Sequence, residues 1–318
     1  MTQPITKPEA LIAALGLDPA LLPAARAANE SFALRVTPSF LSRMRPGDPN
    51  DPLLRQVLPV GAELEEQPGF VADPLQESSA KRAPALLQKY AGRALLITTA
   101  ACAIHCRYCF RREFPYAEQS SEEGGRWAEA LATIAADPSL EEVILSGGDP
   151  LSLNDGRLTQ LTDALAAMPH VRRLRVHTRQ PVVLPSRVDD GLIAWIGGIR
   201  LPLVFVLHVN HPNEIDAEVR VAIARLKAAG VTLLNQSVLL AGVNDDVDTL
   251  KRLSVGLMAI GVLPYYLHLP DRVRGTAHFD VAEQHAKQLV GELASQLSGY
   301  LVPRLVREIP GAPSKTPV

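Results

Sequence analysis

Three cysteines, Cys102, Cys106 and Cys109, are the entire cysteine content of this 318-residue chain, and all fall within one short stretch. So small and odd a number makes no disulfide framework. Soft thiolates packed this closely suit an iron–sulfur cluster. Three of them can bind three corners of a cuboidal [4Fe-4S] cluster, and the missing fourth ligand leaves one iron open to an external group. Two plainer readings compete. His105 lies among the cysteines and would complete a four-ligand zinc site, although such sites usually pair two short ligand clusters across a longer gap. Three packed or surface thiols need no metal, but exposed thiols this close together oxidise readily.

Other residues could serve the same chemistry. The string Ser146, Gly147, Gly148, Asp149, Pro150 joins two glycines, which let the backbone approach a ligand closely, to a carboxylate acceptor. On its own such a string is an ordinary turn. Lys89, Arg93 and Arg111 flank the cysteines, and guanidinium groups suit phosphates and carboxylates through paired hydrogen bonds. Without further context each is a surface charge. Lys315 stands in a proline-punctuated segment that reads as a rigid, extended loop. By default it is a solvated amine.

Strands must present these residues. Apolar, often β-branched runs at 94–98, 142–145, 174–178, 203–208, 232–238 and 262–268 read as buried strands. Helical spacing falls between them at 125–136, 156–168, 217–229 and 248–260. The alternation predicts an α/β fold whose parallel sheet has right-handed crossovers. Six units are too few for a closed eight-fold barrel, and no early glycine fingerprint marks a doubly wound sheet. The expectation is an open six-strand parallel (β/α)6 partial barrel. Such barrels carry their chemistry at the C-terminal ends of the strands. The cysteines follow the first expected strand, and the Gly147-Gly148-Asp149 string follows the second. Residues 1–90 read as a mainly helical extension, with helices near 19–33 and 81–90 and loops and short helices over 38–74. Residues 91–300 are expected to form the barrel, and 301–318 a separate C-terminal segment that carries Lys315.

Composition narrows the class. A hydrophobic content of 47% is enough for a full core. A formal charge of −2 gives no global electrostatic case for nucleic acid or membrane as a partner. No apolar run approaches the roughly 20 residues of a membrane span, and the first residues lack a secretory layout. A cytoplasmic protein is expected.

The cysteine spacing, three residues and then two, resembles the signature of the radical S-adenosylmethionine superfamily. The resemblance implies that the methionine moiety chelates the open iron and that Gly147, Gly148 and Asp149 receive the cofactor's amino group. Reductive cleavage would then yield a 5′-deoxyadenosyl radical. The strings at 106–112, 178–187, 208–214 and 235–240, the Tyr265-Tyr266 pair and the segment 302–318 are similar to the lysine 2,3-aminomutase family. That likeness runs from about residue 89 to the end.

Membership of that family would bring pyridoxal 5'-phosphate, held as an imine by Lys315, with its phosphate met by Arg93 and Lys89. It implies that Arg111 meets the substrate carboxylate and that His208 and Gln236 lie near S-adenosyl-L-methionine. Asp271 and Glu308 would meet the substrate's distal ammonium; the family carries aspartate where Glu308 stands, so the charge is kept and the side chain is one methylene longer. The expected reaction is the conversion of (S)-α-lysine to (R)-β-lysine. A chain ending soon after Lys315 looks like the bacterial branch whose product modifies elongation factor P. The partners implied are L-lysine, a flavodoxin- or ferredoxin-like electron donor and the elongation factor P ligase. The alternatives are an aminomutase for glutamate or arginine, a radical enzyme acting on RNA or protein, and a non-catalytic electron carrier. The Asp271 and Glu308 pair favours a cationic amino acid.

Overall fold

The structure, a computed structural model, describes residues 3–116 and 126–318. Its N-terminal part opens with helices α1 (Pro8–Leu15) and α2 (Leu22–Ser31), each carrying proline near its start, where the missing N–H costs nothing. Among the described residues, one sheet of ten strands then runs in chain order. It comprises β1 (Lys81–Ala83), β2 (Leu86–Tyr90), β3 (Arg93–Thr99), β4 (Glu142–Gly147), β5 (Arg173–Thr178), β6 (Leu203–Leu207), β7 (Thr232–Val238), β8 (Leu263–His268), β9 (Arg304–Arg307) and β10 (Thr316–Pro317).

Every neighbouring pair from β3 to β9 is parallel. The expected α/β fold with a mainly parallel sheet is therefore present, and the six expected strands are β3 to β8. The sheet is longer than those six. A β1–β2 hairpin joins the β3 edge antiparallel, and β10 folds back on β9 at the other.

The helix expected near residues 81–90 is absent; that stretch is β1 and β2. Its leucines and lysines favour a helix locally, but pairing across Leu86↔Leu96 and Leu87↔Leu95 buries both leucines of β2, and tertiary packing prevails. The hairpin turn also lacks its usual marker. Ala85 takes the left-handed conformation, φ 62, where glycine or asparagine would have signalled a turn.

Between the strands lie α3 (Arg126–Ala136), α4 (Asp155–Ala166), α5 (Asp190–Gly198), α6 (Ala217–Ala228), α7 (Val247–Ala259) and α8 (Glu283–Gln296). Gly125, the expected first residue of α3, lies outside the described residues. The four helices from α4 to α7 start alike. Asn154, Asp189, Asp216 and Asp246 each accept the N–H three residues on, satisfying a donor that the first helical turn leaves unpaired. Residues such as Val143, Leu145, Leu174, Val176, Phe205 and Leu207 are buried, as strands covered by crossover helices require. Among the described residues, no helix is long and apolar enough to cross a membrane.

Candidate active site

The loop after β3 carries the three cysteines, all free and half-buried. The N-terminal part clamps it. Arg107, with no exposed surface, pairs with Glu63 through Nε at 2.9 Å and Nη2 at 2.5 Å, and its Nη1 donates to the Phe32 carbonyl at 2.6 Å. Arg112 adds a third bond to Glu63 at 2.7 Å. The backbone N–H groups of His105 and Arg107 donate to the carbonyls of Arg35 at 3.0 Å and Gln56 at 2.9 Å. The Nδ1 of His105 lies 2.7 Å from the Ala33 carbonyl, and its ring stacks on Phe32.

Among the described residues, no three His, Cys, Asp or Glu side chains converge to hold a single ion. A cuboidal cluster does not ask for that convergence, because each thiolate binds a different iron. Burial pushes the Cys109 thiol up to about 11 and the Cys102 thiol well above its ordinary value, each further raised by the neighbouring sulfurs. A metal must therefore displace protons to bind here.

Glycines lock this loop to the end of β4. A Cβ on Gly147 would lie 2.6 Å from the Thr99 carbonyl oxygen, and one on Gly148 only 2.4 Å from that of Ala101. Gly147 also sits at φ 122, which other residues rarely adopt. In that contact the Gly148 N–H donates to the Thr99 oxygen at 2.7 Å, and the Asp149 N–H to that of Ala101 at 2.8 Å. The Asp149 carboxylate is committed to the protein. It accepts from Thr178 Oγ1 at 2.8 and 3.0 Å and from the backbone N–H groups of Arg179 at 2.7 Å, Gln180 at 3.1 Å and Leu151 at 3.0 Å. Its expected role as a side-chain acceptor for a cofactor is thus not open here; it orients the residues after β5.

A run of ion pairs leads from the cysteine loop to Lys315. Arg111 is forked onto Glu77, with Nε and Nη2 each 2.8 Å from a carboxylate oxygen. Glu77 also meets Lys89 Nζ at 3.0 Å, Lys89 meets Glu308 at 2.8 Å, and Glu308 meets Lys315 Nζ at 2.9 Å. Burial works against the charge on Glu308, yet Lys315 and Lys89 hold its carboxyl well below the ordinary range. Glu77 is held down in the same way by Arg111 and Lys89. Asp271 differs: burial and the neighbouring Glu308 charge push it up to about 7. Lys315 directly precedes β10, whose Thr316 pairs with Arg307, and only 18% of its side chain is exposed. It is not a solvated tail group.

Buried nitrogens without partners line the same interior. His177 in β5, His208 directly after β6 and His268 at the end of β8 each bury an Nε2 that has no hydrogen-bond partner among the described residues. Burial keeps all three rings neutral, His208 down to about 4, and the Lys315 charge adds to each shift. Orphaned polar atoms beside a fixed amine fit a polar organic cofactor. Gln236 lies in β7 opposite Tyr266. Arg93 lies at the start of β3, its guanidinium 4.5 Å from the centre of the Tyr90 ring, and Tyr90 in turn feels the Glu308 charge.

The structure thus links Arg111, Lys89, Glu308 and Lys315 in one run of ion pairs through Glu77, with Asp271 near enough to feel the Glu308, Lys315 and Lys89 charges. Sequence reading missed Glu77, which pairs with two of them, and Arg179, which lies 2.8 Å from Cys106 Sγ. Nothing in the local sequence of Glu77 separates it from the other acidic residues of a loop-rich stretch. Arg179 lay within a quoted string but carried no role.

Residues 91–172 match a family model described as a 4Fe-4S single cluster domain. Over 315 residues the chain is 50% identical to the L-lysine 2,3-aminomutase of Escherichia coli, covering 99% of this chain and 92% of that one. It is 38% identical over 289 residues to the L-lysine 2,3-aminomutase of Clostridium subterminale, covering 91% and 69% of the two chains. Among solved structures, a radical SAM methyltransferase from Sphaerobacter thermophilus superposes with a TM-score of 0.51 at 14% identity, over 70% of this chain and 68% of that one. At that identity the likeness speaks for the fold alone.

Proposed function

This chain belongs to the lysine 2,3-aminomutase family and is therefore an isomerase, and we propose that it converts (S)-α-lysine to (R)-β-lysine with a [4Fe-4S] cluster, S-adenosyl-L-methionine and pyridoxal 5'-phosphate. The observation that carries this reading is the unbroken line of ion pairs from Arg111, two residues past the last cysteine, to Lys315. It puts a thiolate loop and a fixed amine at two ends of one interior. Radical generation and amino-group migration need those two ends within reach of one substrate.

Cys102, Cys106 and Cys109 would hold the cluster, and Lys315 would hold pyridoxal phosphate through its amine. When bound, the two cofactors supply the hydrogen-abstracting radical and the delocalising π-system. The protein's own residues bind and orient. Gly147, Gly148 and Asp149 set the spacing between the cysteine loop and β4, while His208 and Gln236 face the cofactor space. Arg93 is the candidate for the phosphate. Lys89, bridged between two carboxylates, is better suited to holding Glu77 and Glu308 in place. Glu77 holds the Nε and Nη2 edge of Arg111, and Nη1 donates to Ser146 Oγ at 3.1 Å, so a substrate carboxylate would have to take over the Nη1 contact.

Asp271 and Glu308 would receive the distal ammonium. Glu308 already binds a lysine ammonium, that of Lys315, so its chemistry suits the charge assigned to it. In this reading residues 91–300 supply the barrel, 301–318 supply Lys315, and 1–90 cover the cysteine loop and supply Glu77. An external flavodoxin- or ferredoxin-like protein would deliver the electron. The product would pass to the ligase that modifies elongation factor P.

Anaerobic reconstitution with all three cofactors, followed by product analysis on lysine, arginine, ornithine and glutamate, tests the proposal. β-Lysine should dominate. Turnover of glutamate in preference to lysine, or no amino-acid product under full reconstitution, would overturn it.

A further inference from the structure

Arg179 directly follows β5, and its guanidinium is almost wholly buried. Nη1 lies 2.8 Å from Cys106 Sγ and 2.7 Å from the Tyr108 hydroxyl. Nη2 donates to Gln56 Oε1 at 2.6 Å and to Glu214 Oε2 at 2.9 Å. Glu214 is itself pinned, because its other oxygen accepts from the backbone N–H groups of Asn210 at 3.0 Å and His211 at 3.1 Å and from Gln56 Nε2 at 3.1 Å. The guanidinium also stands 5.3 Å from the Phe40 ring centre and 5.7 Å from that of Tyr108. A permanent cation is thus fixed on a cysteine sulfur by partners from the N-terminal part, the cysteine loop and the turn after β6.

Hydrogen bonds to sulfur are among the determinants of an iron–sulfur cluster's reduction potential. A donor on a thiolate draws electron density from it and so favours the state with one more negative charge. Bonds from an ionised donor are roughly twice as strong as neutral ones. We infer that Arg179 is a positioning residue for the cluster, whose N–H bond to Cys106 Sγ raises the reduction potential and so lets a low-potential one-electron donor protein reduce it. The step is a single electron transfer: the donor is oxidised by one electron, the cluster is reduced by one, and no bond to Arg179 forms or breaks. This inference deepens the function proposed above and rests on the reading of Cys106 as a cluster ligand.

The test is an EPR-monitored redox titration of the full-length, anaerobically reconstituted protein. Arg179→Lys keeps a charge for Glu214 but loses the fork. The double variant Arg179→Met with Glu214→Gln removes both charges, so neither is left buried alone if the first variant misfolds. Iron and sulfide contents should match the wild type. At one fixed ambient potential, the ratio of reduced to oxidised cluster should fall about tenfold, a midpoint lower by ~59 mV for a one-electron couple. In wild-type protein labelled with 15N-arginine, pulsed EPR of the reduced cluster should show a nitrogen coupling that either variant loses. An unchanged midpoint with a full cluster, or no arginine coupling in the wild type, overturns the role of Arg179. A wild-type protein that binds no cluster, or a cluster that survives Cys106→Ala, overturns the ligand reading beneath it instead.

Discussion

The cysteine end and the Lys315 end of the interior are held together by different means. At the cysteine end, backbone contacts join a buried charge clamp: loop N–H groups meet carbonyls of the N-terminal part, two glycines press β4 against the loop, and Glu63 ties down Arg107 and Arg112. At the Lys315 end, side-chain charges do it, with Glu77 and Glu308 each shared between two cations. Backbone contacts fix one geometry and tolerate little change. A shared carboxylate can keep one partner while exchanging the other. The first arrangement suits a rigid inorganic group, the second an amine that must change partners as cofactor and substrate come and go.

The sharpest break of this contrast is at the rigid end. Cys106→Ala should leave a folded protein, by circular dichroism, with neither the brown cluster absorbance nor cleavage of S-adenosyl-L-methionine. Full iron content and activity in that variant would sink the assignment. Next in size is Lys315→Ala, which should abolish β-lysine formation while slow, uncoupled cleavage at the cluster end persists. Borohydride reduction of the wild type with pyridoxal phosphate should label the peptide containing Lys315; a label on another lysine refutes the choice.

How far each end could be read in advance follows from the same contrast. The cysteines are contiguous in sequence, so their chemistry is visible in one string, and β3 to β8 announce themselves by apolar runs. Glu77 comes into contact with Arg111 and Lys89 only through the fold, and nothing in its neighbourhood in the chain foretells that. β1 and β2 were hidden because their residues favour a helix locally and their turn uses Ala85 at positive φ. Arg179 was legible as a residue but not as a neighbour of sulfur, since 73 positions separate it from Cys106.

Smaller effects probe the adaptable end. Asp271→Asn keeps the shape but removes a charge from a buried pair. Losing one such partner costs about 3–5 kcal/mol, so kcat/KM for lysine should fall by two to three orders of magnitude at roughly 1.4 kcal/mol per decade. The wild type should also show a pH limb. Asp271, raised to about 7, is neutral below that value and charged above it, and a cationic side chain prefers the charged form. KM for lysine should therefore fall as pH rises through about 7, and Asp271→Asn should flatten the profile; an identical limb in the variant would assign it to another group. Glu77→Gln should raise KM by about one to two orders of magnitude, the loss of one charge-assisted hydrogen bond to Arg111 at about 1.5–3 kcal/mol, with kcat less affected. If kcat falls and KM holds, Glu77 acts elsewhere. Smallest of all should be Glu308→Asp, a charge-preserving shortening. Lysine turnover should persist within a few-fold, with KM shifted; abolished turnover would mean that reach, and not charge, decides this position.

The clamp on the cysteine loop carries a consequence for biosynthesis. Phe32, Ala33, Arg35, Gln56 and Glu63, which cover the loop, precede Cys102 in the chain. As a ribosome extends the polypeptide, the cover has left the exit tunnel before the thiols do. Chains generally begin to fold from the N-terminal side during synthesis. The covering residues therefore leave the tunnel ahead of the three oxidisable sulfurs, while β4 and Arg179, which complete the cradle, follow only later.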